Sequence, residues 1–131
     1  MKKYILIAVI VLLYCELSAQ THFYSDYIEV CSYYRKTGEI STNCKRINLE
    51  SRFFINDDNK TITNVMDNTP SIYYIIDKFM EKKTIVYIVK NYANYKAKLI
   101  IDIKNSTITE IPFIDDDRIN IFDINIYNIK Y

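Results

Sequence analysis

The side chains able to do chemistry in this 131-residue sequence are few: one histidine, His22, three cysteines, Cys15, Cys31 and Cys44, and two short acidic runs, Asn56-Asp57-Asp58-Asn59 and Asp115-Asp116-Asp117. A Ser-His-Asp or Cys-His centre needs a histidine held by the core so that it can move a proton. His22 stands near the expected start of the mature chain, in a stretch expected to be loose, and no nucleophilic centre is assigned to it. Two carboxylates could hydrolyse a glycoside, but acidic residues are scattered and no pair stands out, so the catalytic set is empty. Cys31, Cys44 and His22 are too few for a zinc site, and the cysteine spacing is far from C-x-x-C. Oxygen-rich runs such as Asp57-Asp58 and Asp115 to Asp117 can bind Ca²⁺. Their spacing is not that of an EF-hand, since Ile62 stands where its glycine belongs, and solvated turns are the expectation for both. No cofactor and no metal ligand is expected.

Recognition has more material. The chain has 13 tyrosines, all but Tyr4 and Tyr14 beyond the first nineteen residues. Tyrosine joins a flat apolar ring to a polar tip, which suits a ligand pocket or a protein-binding face. Strand propensity accounts for most of them. Tyr92 and Tyr95, paired on a short loop, form the candidate interaction surface, because aromatics on a loop are common recognition elements. Asn59-Lys60-Thr61 and Asn105-Ser106-Thr107 match the glycosylation sequon, which has meaning only in a eukaryotic or eukaryotic-virus source.

These residues need elements to hold them. Cys31 and Cys44 are symmetric about Thr37-Gly38. If Lys36 and Glu39 close a two-residue turn, Cys31 falls opposite Cys44 at a non-hydrogen-bonded position, where Cα atoms lie about 4.5 Å apart, within disulfide range. That register also sets Tyr33 and Ile40 on the cysteine face. A disulfide there would stabilise the fold by roughly 3 kcal/mol on the chain-entropy estimate.

The rest of the chain is rich in Ile, Tyr and Thr, which fit a pleated surface. With one glycine, Gly38, and two prolines, Pro70 and Pro112, the turns fall to Asn and Asp, which tolerate left-handed backbone. Residues 52–65 align without gaps to residues 98–111, sharing Asn59-x-Thr-Ile-Thr63 and Asn105-x-Thr-Ile-Thr109. Each copy reads strand, turn, strand, with Ile62 or Ile108 inward and the threonines in water. Strands are expected over Ile72–Phe79 and Thr84–Lys90, joined by Met80-Glu81-Lys82-Lys83, with a helix over 72–83 as the competing reading. Lys96 to Ile103 alternates most clearly, and Ile119 to Ile129 forms a last strand whose apolar phase slips near Phe122-Asp123, as a bulge would cause. The fold class expected is all-β: one antiparallel meander of about eight to nine short strands, closed as a small barrel or packed as a two-layer sandwich.

Met1 to Ala19 reads as a secretory signal peptide: Lys2 and Lys3, an apolar run from Tyr4 to Tyr14, and Leu17-Ser18-Ala19 before the cut. The run is too short for a membrane span. Lipidation at Cys15 is disfavoured by the bulky Tyr14 before it. Residues 20–131 then form a single β domain, secreted or periplasmic, in an oxidising compartment where Cys31 and Cys44 pair. Removing Lys2, Lys3 and Glu16 from 17 basic and 16 acidic side chains leaves equal numbers. A neutral chain without a basic patch gives no footprint for nucleic acid, and residues 20–131 hold no run long enough for a transmembrane helix.

The lysine-led leader, Phe54-Ile-Asn-Asp-Asp-Asn-Lys-Thr-Ile62, Tyr74-Ile75, Leu99-Ile-Ile-Asp102 and the closing Ile126-Tyr-Asn-Ile129 resemble the uncharacterised small secreted β-rich proteins of Bacteroidetes. That resemblance implies no activity or site. The function expected is a non-catalytic binding or interaction module for a protein or small ligand, not an enzyme. The alternatives are an outer-membrane β-barrel, prompted by Tyr127, Ile129 and Tyr131 at alternate positions, and a carboxylate-dependent hydrolase.

Overall fold

A computed structural model of the chain describes residues 21–130. The expected leader, residues 1–19, and the terminal Tyr131 lie outside the described residues. Ten strands follow one another: β1 (Thr21–Tyr34), β2 (Glu39–Ile40), β3 (Lys45–Ile47), β4 (Ser51–Asn56), β5 (Thr61–Met66), β6 (Thr69–Glu81), β7 (Thr84–Lys90), β8 (Lys96–Asp102), β9 (Thr107–Pro112) and β10 (Ile121–Lys130). Neighbours pair antiparallel from β4 through to β10, and β1 pairs with both β4 and β10. Eight strands thus close into an up-and-down barrel. β2 and β3 stand outside the ring, and β2, β3 and β4 run in succession along one side of β1. Closure removes the exposed edges an open sheet would offer. Residues 72–83 are strand and turn, not helix, because β6 finds partners on both flanks.

Phe53, Ile62, Leu99, Ile101, Ile108 and Ile129 project into the barrel and are almost fully buried. Each such side chain contributes roughly 1.5–3 kcal/mol by leaving water. Outward positions on the same strands carry Arg52, Thr63, Lys98, Thr109 and Asn128. No helix of the described residues is long and apolar enough to cross a membrane.

The two repeat copies become two hairpins of one geometry. Arg52 pairs with Val65 and Lys98 with Ile111, each at the same offset along its hairpin. Both use a four-residue connection in which an Asn N–H bonds the side chain at the strand end, Asn59 to Asn56 Oδ1 at 3.0 Å and Asn105 to Asp102 Oδ1 at 3.1 Å. The connection ends on a left-handed residue, Lys60 or Ser106, each at φ 54°. Left-handed backbone is therefore not confined to Asn and Asp: Lys82 and Lys83 form the two-residue β6–β7 turn at φ 46° and 69°, while Met80 and Glu81, expected in that turn, are still paired strand.

Three local expectations change. The first hairpin closes on Tyr34 and Glu39 around a four-residue turn, not on Lys36 and Glu39; Gly38, at φ 73°, donates its N–H to Tyr34 O. Residues 41–44 absorb the difference, so that β3 still pairs in the register that sets Cys44 opposite Cys31. The second concerns bulges, which fall in β1 between Ser25 and Ile28 and in β6 between Ile75 and Asp77, whereas β10 runs without one past Phe122-Asp123. The apolar phase of β10 slips because the covered face changes. Tyr127 and Ile129 point into the barrel, while Phe122 meets Tyr33 (5.3 Å between rings) and Ile124 pairs with Cys31 on the other face. Lastly, His22 is not in a loose terminus: it sits within β1, paired with Phe54, with the rings stacked 4.4 Å apart.

Candidate functional site

The disulfide is present. Cys31 and Cys44 are bonded, with their Cα atoms 4.5 Å apart, the separation of a non-hydrogen-bonded antiparallel pair. Glu29 lies beside them, with potential ligand atoms all within 4.8 Å. A bonded sulfur is no thiolate, and the thiolate is the metal-binding form. Glu29 accepts a hydrogen bond from Asn128 Nδ2 at 3.0 Å.

Each acidic run is met by a basic side chain of the protein. Asp57 pairs with Lys78 at 3.2 Å and accepts the hydroxyl of the buried Tyr87 at 3.1 Å. Asp116 is held by Nε and Nη2 of Arg118, both at 3.0 Å, and this bidentate contact draws its carboxyl below the usual carboxylate range. Arg35 donates to the carbonyls of Ile114, Asp116 and Ile119, fastening the β9–β10 loop to the end of β1.

The two tyrosines of the β7–β8 loop separate. Tyr92 is 85% exposed and meets Tyr74 edge to face at 5.3 Å, with their hydroxyls hydrogen-bonded. Tyr95 turns inward. The loop that aims it is tied by Asn91, whose side-chain oxygen accepts the N–H groups of Ala93 and Tyr95, and by Asn94 at φ 61°.

Tyr95 leads to a group that the sequence reading missed. Its hydroxyl donates to Glu110 Oε2 at 2.6 Å, and the Tyr127 hydroxyl approaches Glu110 Oε1 at 3.3 Å. Tyr73 packs against Tyr95, with 6.3 Å between ring centroids and 53° between planes. Glu110 is 8% exposed, the one carboxylate among the buried residues described, and no lysine, arginine or histidine of the described residues forms an ion pair with it. Burial and the Glu110 charge push the Tyr73 hydroxyl up to about 12, and the same two causes raise Tyr95 and Tyr127 further. Met66 Sδ lies 3.9 Å from the Tyr127 hydroxyl, and Phe53 meets the Tyr127 ring edge to face at 4.7 Å. Paired with Phe53 on β5 is Asn64, 1% exposed; its oxygen accepts the Ser51 hydroxyl at 2.7 Å, while its Nδ2 has no acceptor.

This polar layer repeats across the barrel. Asn64 and Glu110 occupy matching positions, two residues beyond Ile62 and Ile108 in the two hairpins, and Tyr73 and Tyr127 pair with those same isoleucines. The signal was present: if Ile62 and Ile108 face inward, a period of two sends Asn64 and Glu110 inward too.

These features define a small closed antiparallel barrel with an apolar interior and one polar layer. No family model matches the sequence, and no curated protein or solved structure matches it.

Proposed function

We propose that the protein is a secreted or periplasmic binding module that takes a small ligand at the barrel end where Tyr73, Tyr95, Tyr127 and Glu110 meet. The observation that carries this reading is the Glu110 carboxylate, buried among neutral phenols with no cationic side chain of the described residues to balance it. The phenol hydroxyls hydrogen-bond the carboxylate but bring no counter-charge, and a buried carboxylate without one leaves a defined place for a polar ligand to meet. A binding role rather than hydrolysis is favoured because glycoside chemistry uses two carboxyl groups flanking one bond, and Glu110 stands alone among the buried carboxylates described. The leader-like first nineteen residues and the bonded cysteines support an oxidising compartment.

The test is a ligand-detected NMR screen of small molecules against the wild-type protein and Glu110→Gln. Binders that lose affinity in the variant, with the protein still folded by near-ultraviolet circular dichroism, support the reading. A screen in which every binder is indifferent to Glu110→Gln removes it.

A further inference from the structure

Resting on that reading, we infer that the ligand of this end of the barrel is an organic cation, a quaternary or primary amine, seated against Glu110 and the faces of the surrounding tyrosines. Charge sets the sign. Both Glu110 oxygens accept from phenolic hydroxyls, Tyr95 at 2.6 Å and Tyr127 at 3.3 Å. An anionic ligand would meet that charge with the phenol donors already spent. A neutral apolar ligand would leave the carboxylate unbalanced and remove what water reaches it.

A hard metal ion is a poorer match. Ca²⁺ takes six to eight oxygen ligands, several of them carboxylate, and the layer offers one carboxylate, three phenols and an amide. An organic cation needs less: one anion and aromatic faces within about 6 Å of the charge. Tyr73 and Tyr95 pack at 53° to one another, both half-buried, and Tyr95 and Tyr127 reach Glu110 through their hydroxyls. Tyr95 is held in place by the Asn91 turn, so the site needs little ordering on binding.

A second observation points to the same layer. Asn64 projects inward at the position matching Glu110, almost wholly buried, with its Nδ2 lacking an acceptor. Such a buried donor costs about 1–3 kcal/mol. The layer is thus incomplete in two ways, an anion without a cation and a donor without an acceptor.

The experiment is a titration of the tyrosine ring resonances with choline chloride, and in parallel with 3,3-dimethyl-1-butanol, its uncharged isostere, at constant ionic strength. Choline should shift Tyr73, Tyr95 and Tyr127 and bind at least tenfold more tightly than the alcohol. Glu110→Gln should lose at least tenfold in choline affinity and leave the alcohol unaffected. Tyr95→Phe, which keeps the ring and releases one Glu110 oxygen, should retain choline binding and guards against a Glu110 variant that fails to fold. Equal binding of choline and the alcohol overturns the cation assignment while leaving a binding module in place. Absence of a ring shift with either probe overturns the inference, and the ligand screen on wild type and Glu110→Gln then decides the broader reading separately.

Discussion

The β4–β5 and β8–β9 hairpins share register, turn geometry and the alternation of buried positions, yet the two halves of the barrel that they begin are connected differently. From β5 the chain returns at once through Asp67-Asn68, two left-handed residues that continue the twist of the strands. From β9 it wanders through residues 113–120 before β10, and Arg35 must reach across to bind that loop's carbonyls. The inner polar position also differs, Asn64 in one half and Glu110 in the other. One strand grammar, used twice, gives the scaffold; the charge and the long connection are confined to one half. A barrel can carry such an asymmetry because each hairpin is satisfied by its own ladder, so that connections and single inward side chains vary without changing the register.

Five measurements break or sharpen this comparison. The largest effect is expected in alkali. Tyr73, raised to about 12, and Tyr95 and Tyr127, raised further, hold their protons in the folded state well above the value of about 10 for an unfolded tyrosine. The unfolded chain therefore releases protons first, and the stability these groups contribute, whole below pH 10, is lost as pH rises through 12. The NMR ring resonances of Tyr73, Tyr95 and Tyr127 should titrate only together with unfolding; a titration of these three near pH 10 in the folded protein would contradict their burial.

Next come the matched isoleucines. Ile62→Ala and Ile108→Ala should each cost about 3–4 kcal/mol in urea denaturation, as buried large-to-small changes do, and should agree within about 1 kcal/mol because both are almost fully buried at matching positions. A larger gap would mean that the halves are packed unalike. Reduction of the Cys31–Cys44 bond, whose cysteines are 13 residues apart, should lower stability by roughly 3 kcal/mol; an unchanged thermal midpoint in reductant would mean the staple constrains nothing.

The polar layer should then separate the halves. Glu110→Gln should raise stability by about 1 kcal/mol or more by removing a buried charge without a counter-charge, whereas the double change Ser51→Ala with Asn64→Leu removes a neutral pair and should be near neutral. Opposite outcomes would place the cost of the layer on Asn64 instead. The smallest effect is at the turns. Lys60→Gly and Ser106→Gly relieve the same left-handed backbone, and each should add up to about 1 kcal/mol, reduced by the extra freedom glycine has in the unfolded chain.

Much of the scaffold was legible in the residues. The Lys96 to Ile103 alternation is β8 and its turn, the gapless repeat is a pair of hairpins, and the cysteine symmetry is a disulfide. Reading failed where one strand serves two surroundings. The phase change in β10 mimics a bulge in sequence, but its cause is the hairpin with the disulfide covering the other face near Ile124. Tyr92 and Tyr95, neighbours on one loop, diverge because only the second has a buried carboxylate to meet.

The sequence by itself determined the class of element, the pairing of Cys31 with Cys44, and the two-residue period that sends Ile62, Asn64, Ile108 and Glu110 to one face. Those are local matters, settled by side-chain shape and by spacing along one or two strands. Only the tertiary structure decided that the meander closes as a barrel, through β1 pairing with β10, and that Glu110 of β9 meets Tyr95 of a loop and Tyr127 of β10. Closure depends on the summed twist and length of all the strands, and a period of two states which residues face inward but not which of them face each other.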